Sequence, residues 1–350
     1  MRTLVSDICI QAIASYLPVK KEDYRLDFSN KFGDYRVKEF SKATGITSHR
    51  VAAQGQTSSD MAFEAASSLI ENEAIDVSTI DGLIFVSQTG DYPLPATSII
   101  LQDRLGLSTE TLCIDIHYGC SGYLYGLSQA VAWISSGMSS KILLLTGETN
   151  SRLVNPKDGS LTMEFGDAAT ATLVGSGSTD IGFTIKSDGS GYDKIIVPAG
   201  GARIPCSDET KRETEDDEKN IRTLENMNMD GMGVFSFVLS KVPKCIKETL
   251  DLREWKPEDV GLYAMHQTNK FTIDCLRKKF RLPEEIFPLN LDHAGNTGPN
   301  SIPLLLSEIG GNYSSGQRKR TVLCAYGVGL SWGAVSCDLS ETRFYKPINL

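Results

Sequence analysis

One side chain in this chain stands out as able to perform covalent chemistry, Cys120, and two polar segments further on carry His266 and Asn296. Cys120 lies in the stretch Ile114-Asp-Ile-His-Tyr-Gly-Cys-Ser-Gly-Tyr123. The apolar run Thr111 to Ile116 before it reads as a buried strand. After it, Leu124, Leu127, Val131 and Ile134 recur at helical spacing, and Gly137 is placed to end that helix. The thiol therefore falls on a strand–turn–helix elbow, with Gly119 and Gly122 leaving room for a tight turn. A thiol at a helix N-terminus faces unpaired N–H groups and the positive end of the helix dipole. Both favour the thiolate, which is the nucleophile. His266 ends an apolar run at Met265-His-Gln-Thr-Asn269, and Asn296 sits in the polar, glycine-rich loop from His293 to Ser301. A second glycine-rich turn runs from Ala325 to Gly333.

On residue types alone, a Cys, His, Asn order also fits a papain-like cysteine hydrolase, with the Cys–His separation near the roughly 130–150 residues expected there. Against this, Cys120 lies deep in the chain and lacks the CGSCW surround.

The elements that must position these groups alternate between strand and helix. Strands are predicted at Leu83–Val86, before Cys120, at Ile142–Leu145, Ala168–Val174, Leu262–Met265, Val322–Ala325 and Ala334–Asp338. Helices are predicted over 61–73 with Ser58 or Ser59 as cap, and over 242–250, 268–280 and 301–309. Such alternation argues for an α/β fold with layered sheets, in two halves that meet near residue 181. One segment breaks the pattern: 206–220 (CSDETKRETEDDEKN) is polar and charged, and reads as a solvent-exposed insertion or mobile loop.

With 350 residues, 41% of them hydrophobic, the chain can bury a large core. No apolar run is long enough to span a membrane. The N-terminus shows no secretory pattern, so a cytoplasmic location is expected. None of the eight cysteines has a metal-ligand spacing, and disulfides are not expected. A net charge of −9 argues against nucleic acid as a general partner.

Five ordered segments resemble the β-ketoacyl-acyl-carrier-protein synthase III family of thiolase-like condensing enzymes. They are GCSGY at 119–123, FGDAA at 165–169, HQTN at 266–269, GNTGPNS at 295–301 and YGVGLSWG at 326–333. Thr44-Gly-Ile-Thr-Ser-His-Arg50 also looks like the family's TGI…R element. The resemblance implies a thiolase-like fold: two similar βαβαβαββ halves, residues 1–180 and 181–350, in five αβαβα layers with the site between them. It implies that Cys120 takes an acyl group from a thioester. His266 and Asn296 would hold the thioester carbonyl of a malonyl-type extender, and decarboxylative condensation would give a β-ketoacyl thioester. The backbone N–H groups of Cys120 and Val328 would form an oxyanion hole. No metal or resident cofactor is implied, since substrates arrive on the phosphopantetheine of acyl carrier protein or coenzyme A. A homodimer is implied as well.

Some family features are missing. Glu39 and Ala43 stand where housekeeping members clamp the adenine of coenzyme A with Trp and Arg, and Asp158-Gly-Ser160 stands where a further Arg would be. Weaker nucleotide binding is expected, with the starter delivered on a carrier protein. Lys270, Arg277, Lys278, Lys279 and Arg281 follow His266 on one predicted helix and suit an acidic carrier. Leu94, in Tyr92-Pro-Leu-Pro-Ala-Thr97, aligns with the family segment that caps the partner subunit's acyl pocket, and Tyr326 aligns with a pocket aromatic. Two further readings keep the fold: acyl transfer to a hydroxyl or amine, and a non-catalytic partner subunit. Both tend to alter the Cys, His or Asn that this chain retains.

Overall fold

The computed structural model describes residues 1–349. Two mixed sheets carry the chain. The first has six strands, in the order Arg343–Phe344, Ile8–Tyr16, Ala168–Ser176, Lys141–Glu148, Gly82–Val86 and Leu112–Ile116. The second has five: Arg2–Val5, Ile181–Ser187, Ser331–Cys337, Thr321–Gly327 and Leu262–Met265.

Side-chain alternation decides the layering. In Gly82–Val86, Ile84 and Val86 face the middle of the molecule, while Leu83 and Phe85 face outward onto other helices. Ile142 and Leu144 divide from Leu143 and Leu145 in the same way. The middle layer is made by the helices Gly122–Ser135 and Ser301–Ile309. Their Leu124, Leu127, Leu305 and Leu306 are fully buried against strands of both sheets. Each such side chain contributes roughly 1.5–3 kcal/mol through burial. Helices Ser58–Asn72 and Thr97–Arg104 cover the first sheet, and Gly231–Asp251 and Lys270–Phe280 cover the second. The result is the expected thiolase-like stack, with each half contributing most of one sheet.

The structure amends several expectations. The division at 180/181 falls between the strands Ala168–Ser176 and Ile181–Ser187, but the ends of the chain are exchanged. Arg2–Val5 pairs in the second sheet and Arg343–Phe344 in the first. The first half follows βαβαβαββ; in the second, residues 287–290 make no ladder where the third strand of that repeat would fall. Leu112–Ile116 is an edge strand rather than a buried one, and Ile114 is exposed. Helix Ser58–Asn72 is capped by Thr57, not Ser58 or Ser59, in a reciprocal box: Asp60 N–H donates to Thr57 Oγ1 and Thr57 N–H to Asp60. No helix among the described residues is long and apolar enough to cross a membrane.

The charged segment 206–220 is ordered. Thr214–Glu215 and Ile221–Arg222 pair as a short hairpin. Arg222 bonds the fully buried Asp158 carboxylate and lies 3.2 Å from Asp216. Lys157 reaches Glu213 at 2.7 Å. The guanidinium of Arg36 donates to Asn220 Oδ1 at 2.6 Å and to Ser160 Oγ at 3.1 Å. A buried carboxylate needs a partner, and the hairpin provides one.

Candidate active site

Cys120 stands two residues before the helix Gly122–Ser135, on the elbow that its sequence predicts. The turn is tight because two neighbours lack a side chain. A Cβ on Gly122 would stand 2.6 Å from Val86 Cγ1, and one on Gly327 would stand 2.7 Å from both Cβ and Sγ of Cys120. Gly327 also has φ +154°, a conformation that favours glycine. A buried chain of hydroxyls locks this second turn to the elbow: Ser121 Oγ lies 2.6 Å from Ser331 Oγ, which bonds Val328 O at 2.6 Å.

Burial pushes the Cys120 thiol up to about 11, against the helix-terminus argument, while hydrogen bonds from the backbone N–H groups of Val328 and Cys120 pull the other way. Glu164 and Glu148 raise it further. Removing the thiol from water therefore outweighs the local dipoles.

Asn296 is placed by a zipper between two loops. Its N–H donates to Glu164 O at 2.9 Å, and its carbonyl accepts from Gly166 N–H at 3.1 Å. Gly166 is required there, since a Cβ would stand 2.1 Å from Ala294 O. The next motif residue, Asp167, is buried and accepts from Ala52 N–H, Ser151 N–H and Ser151 Oγ, so it holds loops rather than chemistry. Gly298 N–H donates to Asn296 Oδ1 at 3.1 Å, and Nδ2 donates to the Glu164 carboxylate, which leaves its second hydrogen to donate into the cavity.

His266 is fully buried. Its Nδ1 lies 2.6 Å from Ser301 Oγ, and its ring stands edge-on to Tyr326 at 5.7 Å. Its Nε2 has no protein partner. Burial lowers its pKa to about 3, so the imidazole is neutral.

Cys120, Asn296, Tyr326 and Val328 line one cavity of about 530 Å³, with Gln88, Asn150 and Glu164. His266 is not among the lining residues; it lies beside Tyr326, which is. Leu94 is not either, and is 81% exposed. Met227, Met229, Met232, Phe235 and Phe271 belong to its apolar part. The exposed Phe271 stacks on Phe235 at 5.4 Å. Sequence reasoning missed these residues and Glu164. The available signal was the recurrence of Met227, Met229, Met232, Val234, Phe235 and Phe237 leading into a long helix.

The predicted cationic strip is only partly free. Arg277 donates to Leu282 O at 3.0 Å and lies 3.5 Å from Asp274, closing its own helix end. Lys279 donates to Leu239 O at 2.5 Å. Lys278 and Arg281 are exposed, and Lys270 lies 3.7 Å from Glu284.

A cysteine on a strand–helix elbow, with Asn296 on the same cavity and a neutral His266 behind Tyr326, set between thiolase-like halves, marks the class of condensing acyltransferases. The chain belongs to the 3-oxoacyl-[acyl-carrier-protein] synthase III family. The family's profile matches residues 114–189, and that of its C-terminal part matches 250–339. The chain is 33% identical over 332 residues to the β-ketoacyl-[acyl-carrier-protein] synthase III of Caldanaerobacter subterraneus, covering 93% of this chain and 96% of that one. A crystal structure of a 3-oxoacyl-(acyl-carrier-protein) synthase III superposes with TM-score 0.90 at 36% identity, covering 95% and 99%. The 3-oxoacyl-(acyl-carrier protein) synthase of Burkholderia xenovorans gives 0.91 at 31%, covering 100% and 99%.

Proposed function

We propose that the chain condenses a thioester starter, held on Cys120, with a malonyl-type extender on acyl carrier protein. Cys120 attacks the starter carbonyl, and its proton leaves with the carrier thiol. The extender then loses CO₂, and its carbanion attacks the acyl-Cys120 carbonyl. The Cys120 thiolate departs and takes up one proton from solvent. The N–H groups of Cys120 and Val328 bind the oxyanion on the cysteine side. Asn296 Nδ2 and His266 bind the enolate oxygen on the extender side. Ser301 Oγ–H donates to His266 Nδ1, which leaves the imidazole proton on Nε2 as a donor. The observation that carries this reading is the convergence of Val328 and Cys120 N–H on the thiol, with the Asn296 side chain on the wall of the same cavity.

The starter is delivered on a carrier protein rather than coenzyme A. Support comes from the hairpin that covers 157–160 through Arg222–Asp158 and Lys157–Glu213, together with Glu39 and Ala43 in place of clamping residues. The carrier docks beside Phe271, using Lys270, Lys278 and Arg281. Two copies pair across the edge strand Leu112–Ile116, which leaves Leu94 free to reach the second copy's pocket.

The test is intact mass after incubation with a panel of acyl-carrier and acyl-coenzyme A thioesters, followed by malonyl-carrier, with Cys120→Ala as control. An adduct that clears to a β-ketoacyl product supports condensation. An adduct that malonyl-carrier leaves untouched overturns it.

A further inference from the structure

Glu164 is the only carboxyl-bearing side chain among the described residues that line the cavity. Its backbone is zipped to Asn296, and Phe165 bridges Asn296 in parallel. The Asn296 side chain also donates to the Glu164 carboxylate, and no cation helps to hold that charge. Glu164 lies deep in the molecule yet keeps part of its surface open to the cavity. A carboxyl so placed and so sparsely partnered is costly unless something else meets it there.

A malonyl-type extender brings such a group. Its carboxylate is one carbon removed from the thioester carbonyl assigned to Asn296, so a side chain bonded to the Asn296 amide neighbours that carboxylate. We propose that Glu164 selects the extender: its protonated carboxyl donates a hydrogen bond to the extender's carboxylate, and its ionised form repels it. This inference rests on the reading of Asn296 as the extender's carbonyl donor.

Burial pushes Glu164 up to about 7, so both forms are populated near neutrality. The groups that bear on it are few. Asp158, paired with Arg222, raises it, and Glu164 in turn raises Cys120 and Tyr24. His49 stands against Gly166 and Gly295, but its two nitrogens are engaged by Tyr24 and Glu22. The extender keeps its charge throughout, so its binding weakens as pH rises through 7. The effect falls on KM, because the carboxylate is gone once CO₂ has left.

The experiment loads Cys120 first and then measures KM for malonyl-carrier from pH 6 to 8.5, in the native chain and in Glu164→Gln and Glu164→Leu. The native KM rises about tenfold across that range, the size a nearby like charge gives in a partly buried site. Glu164→Gln keeps a donor and stays within about twofold of the native pH 6 value. Glu164→Leu is flat but higher at pH 6. The KM for the acyl donor in the loading step, which brings in no carboxylate, serves as the reference profile. A native KM that is flat with pH overturns the proposal, as does the same rise in Glu164→Gln. Loss of all decarboxylation with Cys120 still acylated in the native chain is a different result, and overturns the condensing role of Asn296 as well.

Discussion

The two walls of the cavity are built by different means. On the cysteine side, the groups proposed to stabilise charge are backbone N–H donors of Cys120 and Val328, fixed by two turns that press Gly327 against the sulfur. On the side proposed for the extender they are side chains: the Asn296 amide held by Gly298 and Glu164 and, behind Tyr326, the His266 ring held by Ser301. Backbone donors tolerate a change of side chain, which is why valine can stand at 328 in the middle of a glycine turn. Side-chain donors depend on a chain of partners. The cysteine wall should therefore break only through the nucleophile or through crowding, and the extender wall through any link of its network.

The largest break is Cys120→Ala, which should abolish acylation and lower turnover by about 10⁶-fold, as for other lost nucleophiles. Gly327→Ala leaves every donor in place but drives a methyl into the sulfur; acyl loading should fall at least about 100-fold, read by intact mass against time. On the opposite wall, Asn296→Ala or His266→Ala should cost about 10²–10³-fold in condensation while acyl-Cys120 still forms. If either variant blocked loading to the same extent, the separation of the two walls would be wrong. Ser301→Ala should cost about tenfold in the condensation step only, because the imidazole loses the partner that fixes its tautomer.

The pH behaviour sharpens the same contrast. The Cys120 pKa is raised to about 11, so the reactive thiolate is scarce at neutral pH and grows about tenfold per unit up to that value. Alkylation of Cys120 by iodoacetamide should follow that slope between pH 7 and 10. A plateau beginning near pH 7 would show that the helix terminus prevails over burial after all.

Local pattern accounts for what could be read without coordinates. Leu262–Met265 and Ser301–Ile309 form over the residues their apolar spacing marks, and the Cys120 elbow follows from a strand, two glycines and a helical repeat. What escaped depends on partners distant in sequence. Arg2–Val5 and Arg343–Phe344 cross between sheets because each finds its ladder far along the chain. The charged segment looks unstructured until Arg222 meets Asp158, and Arg277 looks like a free cation until the chain leaves the helix end and brings Leu282 O to it. Glu164 is one acid among many in composition. Only its zipper to Asn296 marks it as part of the site.

The smallest expected effect concerns the carrier. With Arg277 and Lys279 engaged by their own fold, the docking charge reduces to Lys278 and Arg281, with Lys270 partly held by Glu284. Exposed charges of this kind steer approach more than they bind, and salt screens them. Lys278→Glu with Arg281→Glu should therefore raise KM for the carrier about three- to tenfold at low ionic strength, with kcat unchanged, and the difference should shrink as salt is added. Arg277→Glu should instead lower thermal stability, because it removes the bond to Leu282 O at the helix end, and should affect KM little. If Arg277→Glu weakened the carrier more than the Lys278/Arg281 pair does, docking would lie on the inner side of this helix, and the exposed cations would be an ordinary solvated face.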